Sequence, residues 1–469
     1  MNESATQPSF QILPSSYRDP SGFIFEYNNE IYRQVNNSFK EDYDLFISSG
    51  CYETLVKKNL LIPHETITGS LTGDSKCYAT LKPERIAFIS YPYEWSFDML
   101  KDAALLTLQL MKEAISFGLV LKDATPFNIQ WHQGKFIFID TLSFEKYNEK
   151  EPWIAYRQFC ESFLSPLLLM HYTRLPLQQL QLAYPDGIPL TVTKSLLPWR
   201  SKFSLHTFLH IHLHAKISAK KLNKSRHPGK FSKQKLHNLV SSLESLITRL
   251  NPPEQKTAWS DYYEEASQRK DYLSHKKEII QQWIEKLPDI KTAVDLGAND
   301  GEFSKLIALR GIDVVAADFD ASCINNLYTE IKKSGIKDIT PVIIDLSNPS
   351  PNIGVNNMER DSFINRTKVD LVLALAIIHH LSIGKNIPFE KAVEFFQRIC
   401  CHLIIEFVPK TDEKVQLMLT DKKDIYAKYD EENFVSAFNK YFTIDAKEMI
   451  ADSGRKLFLM TKKEIYINS

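Results

Sequence analysis

The 469-residue chain has no CxxC pair. Its six cysteines, Cys51, Cys77, Cys160, Cys323, Cys400 and Cys401, are scattered. That pattern offers no metal ribbon or redox motif and fits a reduced, intracellular compartment. Excess charge of either sign is missing too. Lys+Arg and Asp+Glu each total 57, so bulk charge gives no reason to expect a nucleic-acid partner, and only a local basic patch would. The start, MNESATQPSF, lacks a basic stretch followed by an apolar core, so no signal peptide is expected. The longest apolar runs, as at Val369–Ile378, fall far short of the roughly 20 residues a membrane span needs. These absences lead to a cytoplasmic chain with no membrane span.

What is present is enough for two or three cores. The chain is 43% hydrophobic and 12% aromatic, which excludes a disordered class. Its length exceeds one ordinary domain. Residues 1–20 read as a flexible start and 21–215 as an α+β domain. Residues 216–285 read as a basic connection with linker helices, and 286–469 as an α/β domain.

Within the first domain, FIFEY and EIYRQV form two strands around an Asn28-Asn29 turn. Ile89–Phe97 reads as a strand ending at an aromatic bend. Asp98 is expected to cap a helix with apolar positions at Leu100, Ala103, Ala104, Leu106, Met111 and Ile115, ended by Gly118. A second apolar helix covers Trp153 to about Tyr172. His206, His210 and His214 share one helix face. With no Cys or acidic partner nearby, a packed face is expected there and no metal. From His214 to Leu236 eight Lys and Arg occur without an acid, which reads as a solvated connection, with a polyanion-binding strip as the alternative. A charged, amphipathic linker helix is expected from Trp259 to about Leu287.

In the last domain TAVDLGANDGEF, residues 292–303, ends a strand at Asp295, turns between Gly297 and Gly301, and starts a helix at about Glu302. Glycines let a ligand approach the backbone, and a helix start offers free N–H groups. There is no GK[ST] and no third glycine, so neither a phosphate loop nor a dinucleotide fingerprint is present. An acid before the first glycine suits a ligand with a cationic amino-acid portion. The next strand ends at Asp318, placed to take two ribose hydroxyls. A third, TPVIIDL, ends at Asp345, and a fourth leads to His379-His380. Glu406, after HLIIEF, is expected at the same mouth, or else as a plain surface carboxylate. The long connection Asn348–Lys368 is expected to shape an acceptor pocket.

With its strand-end acids, this segment resembles a class I S-adenosylmethionine-dependent methyltransferase over roughly residues 285–469. The resemblance implies a Rossmann-like, seven-stranded, mostly parallel sheet whose last strand is antiparallel. It also implies S-adenosylmethionine as cofactor. Asp295 and Gly297 would sit by the methionine portion, Asp318 would hold the ribose, and Asp345 would lie near the adenine. Ala298, Asn299, Gly301, Phe319 and Leu346 complete the expected cofactor-binding set. His379 or His380 is the candidate base for the acceptor. The fourth strand lacks an NPPY-type signature, which favours an oxygen acceptor.

GLVLKDATPFNIQWHQGKFIFIDTLSF, residues 118–144, resembles the second lobe of protein kinases and aminoglycoside phosphotransferases. That resemblance implies Asp123 as base, with Asn128 and Asp140 holding Mg²⁺. Leu121 replaces the usual histidine, no glycine-rich loop precedes, and Arg33 is the nearest cation on the second strand. Phosphotransfer is therefore not expected from this kinase-like domain. With DPSGFIFE, SYPYEWSF, LKDATPFNIQ and the later LIIEFVPKTDEKV, nearly the whole chain also resembles bacterial methyltransferases related to nodulation proteins of the NoeA type. The expectation is O-methylation of a small molecule or glycan. The alternatives are a bifunctional kinase–methyltransferase, or a methyltransferase with a non-catalytic acceptor-binding module.

Overall fold

The computed structural model describes residues 10–220, 231–252, 270–420 and 423–464. The chain divides into two compact units. The first comprises Met1–Glu254 with Asn352–Asp361, and the second Gln255–Pro351 with Ser362–Ser469.

The first unit begins with five strands: β1 (Gln11–Ile12), β2 (Gly22–Tyr27), β3 (Glu30–Asn36), β4 (His64–Ile67) and β5 (Cys77–Pro83). They form one antiparallel sheet in the order β1-β2-β3-β5-β4. Asn28 and Asn29 close the β2–β3 hairpin with φ of 51° and 62°. A two-residue loop needs positive φ at both positions, which asparagine tolerates better than most residues.

Ile89–Phe97 is not a strand. Pro92–Glu94 makes a 3-10 turn, and side chains take the place of a ladder. Ser90 donates its N–H to Gln130 and accepts from the same amide, and Tyr91 donates to Glu94. The helix that follows spans Phe97–Ser116 with Ser96 at its N-cap, so Asp98 lies in the first turn rather than capping it. Leu100, Ala103, Ala104, Leu108, Met111 and Ile115 are buried along this helix.

Beyond it, β6 (Leu119–Leu121) pairs with β9 (Phe144–Lys146), and β7 (Ile129–His132) forms a hairpin with β8 (Lys135–Phe138). Tyr156–Thr173 runs as one helical stretch with a π-helical turn at Cys160–Leu164. His206 and His210 both hydrogen-bond Ser242 Oγ, at 2.8 and 2.9 Å, and His214 stacks on Tyr156 at 4.8 Å. The three histidines thus pack against neighbouring side chains. His214–Lys220 is helical, and residues 221–230 of the basic connection lie outside the described residues. So do residues 259–269 of the expected linker helix, whose remainder is Lys270–Lys286.

Asn352–Asp361, from the long connection after the third strand of the last domain, groups with the first unit. Arg18 grips Glu359 with Nε and Nη2 at 2.9 and 3.0 Å, Tyr17 also donates to it, and Arg360 lies 4.6 Å over the Phe127 ring.

The second unit carries β10 (Thr292–Leu296), β11 (Asp313–Asp318), β12 (Ile339–Ile343), β13 (Val369–Ala374), β14 (Cys400–Phe407), β15 (Phe442–Met449) and β16 (Lys456–Lys462). The sheet order is β12-β11-β10-β13-β14-β16-β15. The first five strands are parallel, and β16 runs antiparallel to β14. This is the sheet implied by the methyltransferase resemblance. The central strands read as continuous apolar runs because helices cover both faces of such a sheet. The order reverses at β10, between β11 and β13, and ligands bind open α/β sheets beyond the strand ends at such a switch point. Among the described residues, no helix is long and apolar enough to cross a membrane.

Candidate active site

Four carboxylates gather around the end of β10 and its neighbours. Asp295, next to last on β10, is buried and accepts Ser304 Oγ at 2.7 Å. Burial pushes its pKa up to about 6, against the opposing pull of Ser304 and Lys276. The chain then turns through Gly297, Ala298, Asn299 and Gly301, with φ of 74°, 50° and 75° at residues 297, 299 and 301. The N–H groups of Gly297 and Ala298 both donate to Ala317 O, which ties the turn to β11. A side chain at 297 would be strained by the positive φ, and its Cβ would lie 2.4 Å from Ile377 Cγ2. The helix begins at Glu302, directly after Gly301.

Asp318 closes β11. Its two oxygens accept the N–H groups of Asp320 and Asn299, each at 2.9 Å. Burial pushes this acid up to about 6 as well, although those backbone donors favour its charged form. Each carboxylate oxygen has a second lone pair, so Asp318 retains capacity for hydroxyl donors. Phe319 beside it is 57% exposed, an apolar ring at the strand tip. Asp345 lies two residues beyond β12 and accepts Ser347 N and Oγ at 2.8 and 2.6 Å, and Leu346 follows it half-buried. Asp300 Oδ1, within the glycine turn, is buried without a hydrogen-bond partner.

This donor set fits S-adenosylmethionine. Buried carboxylates, whose charge is costly without a partner, favour a ligand that brings positive charge and hydroxyl donors. An orphaned acceptor in the turn calls for a donor of the same kind.

After β13 the chain passes Ala376, at φ 52°, into His379 and His380. The two rings lie 4.0 Å apart. His379 is buried and its Nδ1 has no hydrogen-bond partner. Burial, then His380 and Arg455, hold it well below the usual imidazole range. His380 is pushed down to about 4 by burial and Arg455. Both rings are therefore neutral at pH 7.

Glu406 is no surface carboxylate. It is fully buried, with Oε2 taking Lys276 Nζ at 2.5 Å and Oε1 taking Tyr272 Oη at 2.8 Å and Arg455 Nη1 at 3.3 Å. Burial opposes its charge, but Lys276 and Arg455 prevail and hold the carboxyl below its usual range. Arg455 also grips Asp412 with two nitrogens at 2.8 and 3.1 Å. Sequence reading missed Tyr272, Lys276 and Arg455. The available signal was Glu406 itself, since a carboxylate inside an apolar parallel strand requires a buried cation.

In the first unit, Asp123, Asn128 and Asp140 do come together. Asn128 Nδ2 lies 3.3 Å from Asp123 Oδ2, 3.4 Å from Asp140 Oδ2 and 3.3 Å from Ser143 Oγ. Asp140 is already occupied: Arg33 Nη2 is 2.5 Å from its Oδ1, and Leu142 N and Ser143 Oγ donate to it. Burial and then the charge of Asp140 raise Asp123. Among the described residues, no cluster of three or more His, Cys, Asp or Glu is arranged to hold a metal.

No family model matches the chain. Among solved structures, the magnesium protoporphyrin IX methyltransferase ChlM of Synechocystis PCC 6803, with bound SAH, is 18% identical. It aligns over 41% of this chain and 86% of its own, with a TM-score of 0.30. A SAM-dependent methyltransferase from Aquifex aeolicus is 15% identical over 39% and 89%, with a TM-score of 0.28. The nodulation protein NoeA of Rhizobium meliloti (strain 1021) is 30% identical over 476 residues, which cover 98% of each chain. Identity at that level along essentially the full length of both proteins means that the chain belongs to the NoeA family.

Proposed function

We propose that the chain is an S-adenosylmethionine-dependent methyltransferase that methylates an oxygen of a small molecule or glycan. The observation that carries this reading is the placement of Asp295, Asp318 and Asp345 at successive strand ends around one glycine turn, at the switch point of the sheet. Asp295 and the turn residues Gly297 to Gly301 would hold the methionine portion. Asp318 and Phe319 would hold the ribose, and Asp345 and Leu346 would lie by the adenine. Bound there, the cofactor supplies a methyl group already activated on a sulfonium, which leaves alignment and proton removal to the protein.

His379 and His380 suit a late proton transfer. A neutral ring accepts a hydrogen bond from the acceptor hydroxyl and fixes its lone pair toward the methyl carbon. As the methyl carbon passed from sulfur to that oxygen, the hydroxyl would become a protonated ether, far more acidic than any imidazolium. A ring of depressed pKa is then basic enough to take the proton.

Purified protein is expected to bind S-adenosylhomocysteine, and Asp318→Ala to weaken it by about 1–3 kcal/mol through lost charge-assisted hydrogen bonds. Unchanged affinity by titration calorimetry would remove Asp318 from the site.

The first unit is proposed as a kinase-like module without phosphotransfer activity, serving acceptor binding or structure. To hold Mg²⁺, Asp140 would have to release Arg33, which meets it at 2.5 Å. Nor does the sequence offer a glycine-rich loop to position a tetra-anionic nucleotide. Mg²⁺–ATP is accordingly expected to leave the melting temperature unchanged. A rise that disappears in Asp140→Asn would establish the bifunctional reading instead.

A further inference from the structure

The first unit exposes a run of large apolar side chains that its own core does not use. Between Leu196 and Leu209 these are Leu196, Trp199, Phe203, Leu205, Phe208 and Leu209, with Trp199 71%, Phe203 77% and Leu205 66% exposed. Trp199 and Phe203 sit on a 3-10 turn, Trp199–Phe203, with ring centroids 5.1 Å apart. Leu205, Phe208 and Leu209 follow in a helical stretch at i, i+3 and i+4, so they share one face, while Thr207, His210 and Ile211 point inward and are buried. Single exposed hydrophobics need no explanation, but six within 14 consecutive residues form a patch that does.

The charged residues on these elements have one sign. Lys194, Arg200, Lys202 and Lys216 are all exposed on these elements. Burial, followed by the charges of Lys202 and Lys194, pushes the buried His212 down. In sequence, the 57 residues from Gly187 to Leu243 contain eleven Lys and Arg and no Asp or Glu, in a chain whose totals balance. Glu161, whose carboxylate takes the N–H of Leu190 at the edge of the stretch, is paired with Arg157 at 3.0 Å.

We propose that this face docks the protein on an anionic phospholipid bilayer, with Trp199, Phe203, Leu205, Phe208 and Leu209 entering the headgroup region and Arg200, Lys202 and their basic neighbours meeting lipid phosphates. Interfacial segments combine an apolar face of Trp, Phe and Leu with flanking Lys and Arg in this way. Each basic residue near an anionic leaflet adds about 1 kcal/mol of attraction. The aliphatic members separate this surface from a nucleic-acid site, where stacking aromatics and cations suffice. A second copy is disfavoured because it would bring two faces of like charge together. The attachment is peripheral, in keeping with the absence of a spanning helix among the described residues. It does not depend on the methyltransferase reading.

The test is co-sedimentation of the full chain with vesicles of phosphatidylcholine, with and without phosphatidylglycerol, at low and high salt. Binding is expected only to the anionic vesicles and is expected to weaken with salt. The double variant W199S/F203S is expected to lose about tenfold or more in affinity. The charge reversal R200E/K202E is expected to lose at least as much. The substituted side chains are exposed, so unchanged melting temperatures serve as the folding control. Three results would overturn the proposal: no sedimentation of the natural chain with anionic vesicles, undiminished binding by W199S/F203S, which would mark a purely electrostatic polyanion site, or a dimer in solution that W199S/F203S abolishes.

Discussion

Glu406→Leu is expected to destabilise the second unit by about 3–5 kcal/mol, the cost of removing one partner from a buried ion pair. The carboxylate is fully buried, and the side chains of Lys276 and Arg455 are 5% and 6% exposed. Removing it strands the Lys276 ammonium with no anion at hydrogen-bond distance from the strand end, and it takes an acceptor from Tyr272 and Arg455. Arg455 keeps Asp412, so most of the penalty falls on Lys276. Against a typical total of about 5–15 kcal/mol for a domain, such a loss leaves little margin. Calorimetry can follow the transition of this unit, identified as the one that S-adenosylhomocysteine moves. The double variant Glu406→Leu/Lys276→Met is expected to recover part of the loss, because an apolar pair of similar volume replaces a buried charge without a partner. A shift of less than about 1 kcal/mol for Glu406→Leu would mean that water or rearranged neighbours compensate Lys276, and that the pair does not hold the strand end.

This network also marks where sequence reading stopped. Lys276 is 130 residues from Glu406 and Arg455 is 49 residues away. Periodicity and short motifs carry no information about which distant cation reaches a given carboxylate. Local rules did better where the determinant is local. Asn28-Asn29 announced a hairpin because few other residues accept positive φ twice in succession. Gly297 and Gly301 bracketed a turn and placed the helix start at Glu302, and apolar strands ending in acids gave the parallel sheet. Ile89–Phe97 misled for a physical reason: its alternating apolar and polar residues fit a strand, but Gln130, 40 residues away, satisfies the backbone of Ser90 instead. Asp123, Asn128 and Asp140 were legible as residues that would meet. That Arg33 neutralises Asp140 was not, because Arg33 reads as an ordinary strand cation until β3 is placed in space.

Cofactor affinity is expected to fall about 100-fold between pH 7 and pH 5. Asp295 and Asp318 each have a pKa raised to about 6 by burial. A ligand that presents an ammonium near Asp295 and hydroxyl donors to Asp318 binds the ionised forms of both. At pH 5 each acid is protonated about ten to one, so requiring both ionised costs about tenfold per group; at pH 7 the cost is negligible. Binding near pH 6 should therefore release protons, seen as a dependence of the calorimetric heat on the buffer's ionisation enthalpy. The same two groups act in the opposite direction on the empty protein. Their folded-state pKa values lie above the unfolded carboxylate value, so their contribution to stability is fully present below about pH 4 and is lost as pH rises through about 6. Cofactor should accordingly raise the melting temperature of this unit more at pH 7 than at pH 5. Asp318→Asn removes one titration and should reduce the pH dependence to about tenfold, whatever it does to affinity at neutral pH. An affinity that stays flat from pH 7 to pH 5 in the natural chain would mean that neither acid faces the cofactor, and the assignment of Asp295 and Asp318 to its methionine and ribose portions would fall with it.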